Sequence, residues 1–230
     1  MLPLIYQPLT GTDGGVLPLA ADNRHYLTRV LRLAAGEVLT VSDGCGGMLA
    51  ARWDGTAVRP TAALAAVPRA AALPLALLLP LLAANKMTDA VRSAAAYGVD
   101  RVVVWSPARG RVPADAGRPE RWRAVAEDAG RVAHSAWLPE FSGPLPLAAA
   151  LAAIAGRRLL WLDTAAPRGM LPELPAAGAA LVLGPESGFA EDERAAIAAA
   201  GAAAVSLGTA TLRIEQAVLA ALAVVRFQTA

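Results

Sequence analysis

Cysteine is nearly missing from this sequence. Cys45 is the only one, which excludes an intrachain disulfide and any cysteine-built metal site. A lone thiol suits a reducing cytoplasm, the expected compartment. Lysine is as scarce: Lys86 is the sole lysine among 21 basic residues, the others all being arginine. His25 and His134 are the only histidines, too sparse to argue for a metal, and none is expected. No apolar run is long enough to cross a bilayer. The best candidate, Leu73 to Ala84, is interrupted by Pro74 and Pro80 and falls well short of the ~20 residues a spanning helix needs. The opening MLPLIYQPLTG lacks a basic stretch followed by a long apolar core, so it does not read as a signal peptide. Alanine is what abounds, at about a quarter of the 230 residues. A net charge of +2 is compatible with an RNA partner without pointing to one. A protein held to nucleic acid through phosphates alone would be far more basic.

The pattern changes near residue 70. Before it, HYLTRVLRL from His25 places apolar residues at helical spacing, with Asp22 or Asn23 as N-cap and Gly36 beyond the end. VLTVSD, the turn GCGG and MLAARW read as a β-hairpin, and TAALAAV as a further strand. Small β structure of this kind suggests a compact barrel over residues 1–70, with residues 65–74 as the linker. From residue 73 to 230, apolar runs at 75–82, 101–105, 158–163, 180–184 and 204–208 read as buried parallel strands. Helical stretches separate them: Thr88 to Tyr97, Glu120 to His134, Leu147 to Ala155, Glu191 to Ala200 and Leu212 to Arg226. That alternation predicts an α/β domain with helices on both faces of a sheet.

Two strand ends carry the chemistry. LVLGPESGFAEDE (181–193) and VSLGTATLRIEQAVLAAL (205–222) each run from an apolar strand through a glycine loop into a helix. In α/β sheets ligands lie beyond the carboxyl ends of the strands, where Gly184 and Gly208 fall. Glu191, Asp192 and Glu193 open the helix after the first loop and would repel a phosphate. Neither GxxxxGK[ST] nor GxGxxG occurs. An adenosine without phosphates fits better than a nucleotide. Arg213 lies in the first turn of the next helix, with Thr211 as the expected N-cap. A cation there opposes the macrodipole, and Glu215, two residues on, could reach it only if the first turn is irregular.

At these residues the sequence resembles the 16S rRNA uracil-N3 methyltransferases, a family of SPOUT methyltransferases. GPESGFAEDE and LGTATLRIEQAVLAAL resemble its two signature loops. HYLTRVLRLAAGEVLTVSDG resembles its N-terminal domain, and MTDAVRSAAAYGVDRVVVWSPARG and RWRAVAEDAGRVAHSAWLPEF its central segments. The resemblance implies a PUA-like β-barrel over 1–70 and a trefoil-knot methyltransferase domain over 73–230. It implies a homodimer acting on 16S rRNA in the 30S subunit, with S-adenosyl-L-methionine as cofactor and no membrane. Leu183, Gly184, Pro185, Gly188, Leu207, Gly208 and Leu212 would hold the cofactor. Arg213, Glu215 and Glu186 would be catalytic, one carboxylate taking the uracil proton while Arg213 stabilises the developing charge. Arg29, Arg32 and Arg109 would contact RNA.

The sequence also departs from the family pattern. Ser187 replaces a glycine and Ala190 a capping serine, Ala96 an acid, and Arg131 and Val132 a glutamate-glutamine pair. Ser135 stands near a common arginine, and the usual upstream lysine falls near Arg92 and Ser93. The cofactor loops are thus kept better than the substrate contacts. That leaves open a non-catalytic RNA-binding homologue, or a SPOUT methyltransferase acting on tRNA.

Overall fold

A computed structural model describes residues 2–10, 15–69, 73–108, 118–166 and 174–229. It divides into two compact units, but not by a single cut. Met1–Ala70 together with Gly130–Leu138 form the first, and Ala71–Ala129 with Pro139–Ala230 the second.

In the first unit the expected hairpin is β2 (Val38–Ser42) against β3 (Gly47–Trp53). Three short strands complete the sheet. β1 (Leu4–Tyr6) runs parallel to β2, while β4 (Val58–Pro60) and β5 (Ala65–Ala66) pair with successive parts of β3. Only two residues of TAALAAV are therefore strand, and β1 and β4 were too short to show a period. Ile5, Leu27, Val41 and Trp53 form the core. Helix α1 (Ala21–His25) begins earlier than its apolar spacing implies and continues as a π-helical turn, Tyr26–Val30. Its N-cap is Ala20, not Asp22 or Asn23. Asn23 is buried instead, its Nδ2 donating to the Tyr6 carbonyl at 2.8 Å. The turn stops at Arg32, which takes a left-handed φ of 52° four residues before Gly36. Residues 130–138 complete this unit: the Tyr6 hydroxyl donates to the Ser135 carbonyl at 2.6 Å and Trp137 Nε1 to the Val67 carbonyl at 3.1 Å.

The second unit is a six-stranded, wholly parallel sheet of order β11-β9-β10-β6-β7-β8. The expected strands are β6 (Leu75–Pro80), β7 (Arg101–Trp105), β9 (Arg158–Leu162), β10 (Ala179–Val182) and β11 (Ala203–Val205). β6 and β10 are buried at every position, as apolar runs covered on both faces must be. An unexpected strand, β8 (Glu140–Leu145, EFSGPL), extends the edge beyond β7. Its glycine and proline hide it from a pattern search, since both are rare inside strands. The helices are α2 (Ala84–Ala96), α3 (Pro119–Ala133), α4 (Leu147–Ala152), α5 (Glu191–Ala199) and α6 (Ile214–Gln228). α2 starts four residues before the expected Thr88, because Asn85 and Lys86 obscure its apolar stripe.

Helix α6 packs on α2, and one side chain near its end fastens it. Arg226 donates from Nε to the Tyr97 carbonyl (2.8 Å), from Nη1 to Leu73 (2.6 Å) and from Nη2 to Gly98 (2.7 Å). Tyr97 is the C-cap of α2, so the guanidinium also answers the negative end of that helix. Arg226→Ala is expected to lower stability by about 1–3 kcal/mol by leaving these acceptors without their donor. Arg226→Lys should recover only part of that, because an ammonium cannot reproduce the fork. Urea unfolding followed by tryptophan fluorescence measures both.

Candidate functional site

The strand ends of β9, β10 and β11 meet around a cavity of about 250 Å³. The β10 loop contributes Leu183, Gly184, Pro185, Glu186 and Gly188. The β11 loop contributes Leu207, Gly208, Thr211 and Leu212, followed by Ile214 and Ala217 of α6. All seven residues singled out for the cofactor therefore border one cavity.

The loop glycines serve different ends. Gly188 and Gly208 have φ of 73° and 128°, backbone conformations that a Cβ would strain. Nothing lies within 4 Å of where their Cβ atoms would be, so each leaves bare backbone. Gly184 instead makes room inside the protein: a Cβ there would sit 2.6 Å from the Phe189 ring. That ring is buried, stacked 5.9 Å from Trp105 and edge-on at 5.6 Å to Trp161, so it has nowhere to retreat. Ser187 is exposed and avoids positive φ, so replacing the usual glycine there costs no left-handed strain.

Ala190 is the N-cap of α5, and having no side-chain acceptor it leaves one half of a capping box unmade. Glu193 makes the other half and more. Its Oε2 accepts the Ala190 N–H and its Oε1 the Ala108 N–H beyond β7, both at 2.8 Å, with the residue buried. The acid at the third helical position thus ties two strand-end loops together.

A third wall was not anticipated. Leu162, Asp163 and Thr164, following β9, line the cavity with Arg194 of α5. Asp163 Oδ2 accepts from Arg194 Nη1 at 2.8 Å, and the Arg194 guanidinium lies 5.4 Å from the Trp161 ring centre. The available signal was WLDT itself, an acid directly after an apolar strand, as at Glu186 after GP.

Of the catalytic candidates, Glu186 lines the cavity and pairs with Lys86. Arg213 is the N-cap of α6, displacing Thr211 from that role, and its N–H is taken by Gln216 Oε1 at 3.2 Å. It is exposed between the lining residues Leu212 and Ile214. The first turn is regular from Ile214 onward, and the Arg213–Glu215 pair that an irregular turn would have allowed is not formed. Glu215 Oε2 is buried without a hydrogen-bond partner among the described residues. Arg29 and Arg32 are exposed on the first unit. Arg109 lies outside the described residues. His25 is exposed, and His134 adopts a left-handed φ of 49° directly after α3.

Because the Glu193 oxygens accept one buried and one partly buried backbone N–H, Glu193→Ala is expected to cost about 1–3 kcal/mol and Glu193→Gln less. Thermal and urea unfolding of the two variants check the order.

Residues 69–226 match a family described as the RNA methyltransferase domain. The ribosomal RNA small subunit methyltransferase E of Mycobacterium bovis is 30% identical over 251 residues, covering 96% of this chain and 90% of that protein. The protein of the same name from Synechocystis sp. is 29% identical over 215 residues, covering 89% and 71%. The crystal structure of the ribosomal RNA small subunit methyltransferase E of Neisseria gonorrhoeae, bound to S-adenosyl methionine, superposes with a TM-score of 0.85 at 24% identity, covering 99% of this chain and 98% of that one. With a domain model spanning most of the chain and near-full-length identity at this level, the chain belongs to the ribosomal RNA small subunit methyltransferase E family.

Proposed function

We propose that the protein is an S-adenosyl-L-methionine-dependent methyltransferase that methylates N3 of a uridine in 16S rRNA of the small ribosomal subunit, in the cytoplasm. The observation that carries it is the single cavity bordered by both glycine loops. Its walls fit the cofactor: Leu162, Val205, Leu207 and Ile214 offer apolar surface for a flat base, and Gly188 and Gly208 offer bare backbone. Among the lining residues the only cation, Arg194, is already paired with Asp163, which suits a ligand without phosphates better than a nucleotide. The cofactor family relationship agrees, since the Neisseria relative was crystallised with S-adenosyl methionine.

When bound, S-adenosylmethionine supplies a methyl group on a sulfonium sulfur. The protein has to place the uracil in line with it and remove the N3 proton. Arg213, exposed beside Leu212 and Ile214, is the cation that stabilises negative charge on the uracil oxygens. The proton goes to one of two carboxylates: Glu186 at the cavity, or Glu215 one residue beyond Ile214. Arg29, Arg32 and Arg109 contact rRNA phosphates, which position the substrate without reading its sequence.

Two finer features of the fold belong to the same proposal. A trefoil knot over 73–230 is supported by β10 inserting between β6 and β9 and by α6 returning to α2. A PUA-like barrel over 1–70 is supported by the five-stranded sheet around its own core. The protein is a homodimer. Support comes from α6, whose buried face carries Val218, Leu222 and Val225 while Leu219, Val224 and Phe227 stay exposed at 46%, 40% and 87%. Phe227→Asp should shift the particle from dimer to monomer by light scattering; a monomeric wild type would refute the assembly.

Purified protein is incubated with labelled S-adenosylmethionine and 30S subunits lacking the modification, and the rRNA is analysed by mass spectrometry. Methyl on uridine N3 is expected. Methyl on a carbon, a ribose oxygen or tRNA would overturn the substrate, and an absence of cofactor binding in calorimetry would favour a non-catalytic RNA binder. Arg213→Ala should lower turnover about 100-fold or more, with cofactor affinity within about threefold of wild type. Unchanged turnover would remove Arg213 from the mechanism. Glu186→Gln and Glu215→Gln, compared in the same assay, identify the proton acceptor.

A further inference from the structure

Two carboxylates line the cavity, and each has its own cation. Asp163 is held by Arg194 at 2.8 Å. Glu186 is held by Lys86, the only lysine in the chain, a hundred residues earlier. Lys86 does not itself line the cavity. It occupies the third position of α2, where a cation opposes the helix macrodipole. No acid in the first turn of α2 offsets it, and Asp89 is taken by Arg92 at 2.9 Å. The lysine thus stands at an unfavourable place in its own helix, with its counter-charge at the mouth of the site.

Methyl transfer changes the charge of the ligand there. The N3 electron pair forms the new N–C bond while the C–S bond breaks and its electrons remain on sulfur. The N3 proton leaves to a carboxylate, and the cationic sulfonium becomes a neutral thioether. An uncompensated carboxylate lining the cavity that holds the sulfonium would favour donor over product. It would also stabilise a charge that disappears on the way to the transition state, which holds the donor without speeding its reaction.

We propose that Lys86 is a specificity-determining residue: by neutralising Glu186 it sets the preference of the site between the sulfonium donor and the thioether product. The proposal rests on the methyl-transfer function above. Lys86 acts through Glu186, not by touching the ligand, so its effect is on the ratio of two affinities.

Isothermal titration calorimetry with S-adenosylmethionine and S-adenosylhomocysteine, on wild type, Lys86→Gln, Glu186→Gln and the double variant, tests it. The expected order of preference for the donor is Lys86→Gln highest, wild type and the double variant equal, and Glu186→Gln lowest. Each single change should move the ratio about three- to tenfold, as for one charge near a partly screened site. Lys86→Arg should keep the wild-type ratio. A lysine that merely braces the loop would weaken both ligands alike, so an unchanged ratio in Lys86→Gln overturns the proposal, as does a double variant that fails to return to the wild-type ratio. If wild type binds neither ligand, the methyl-transfer function falls and the proposal with it. Binding of both without the expected order sinks the proposal alone.

Discussion

Phe189 is the wedge on which the site depends. Its ring fills the space that a side chain at residue 184 would need, and two tryptophans from β7 and β9 fix it there. The GPESGF turn is therefore set from within: the aromatic anchors one end, and the chain between Gly184 and Phe189 is free to present its backbone to the cavity. Glu193 then extends that order sideways by gripping the loops after β7 and β10 with one buried carboxylate. The backbone part of the cavity wall thus takes its shape from the side chains packed beneath it.

Much of this was legible in the sequence, for a physical reason. Strands buried on both faces must be apolar throughout, and β6, β7, β9 and β10 announce themselves as such runs. Glycine after β10 and after the partly buried β11 marks the loops, and all seven residues read from those loops border the cavity. What stayed hidden depended on distant partners. β8 owes its place to the ladder offered by β7 and not to its own composition. Asn23 resembled a cap but is consumed by the Tyr6 carbonyl. Asp163 and Arg194 join the site because β9 lies beside β10; the acid after the apolar strand in WLDT hints at the first, while nothing in EDER points to the second. Taking Thr211 as the N-cap, the better capping residue by propensity, puts Arg213 two positions too far into its helix, since the chain turns helical only at Ile214.

The departures from the family pattern also sort by environment. Ser187 and Ala190 sit in the loop after β10; the first is accommodated without strain, while the second leaves its half of the capping box unmade and Glu193 supplies only the other half. Ala96 and Val132 are exposed, the latter at 85%, and bear no part of either hydrophobic core. Ser135 contributes its carbonyl to Tyr6, and its hydroxyl donates to the Trp137 carbonyl at 2.6 Å and accepts the Trp137 N–H at 3.1 Å. Arg131, another departure, lies 4.6 Å over the Tyr26 ring, so some of the changed residues are built into the fold while none lines the cavity.

The balance of charge around the cavity has a kinetic corollary. Because Asp163 and Glu186 each carry a cation, these two lining carboxylates project little net field into solvent. They neither funnel nor turn away a small cationic ligand over long range, and add little ionic-strength dependence to its encounter rate. Capture by such a site is governed by how long the ligand stays once it has collided, not by how often it is drawn in.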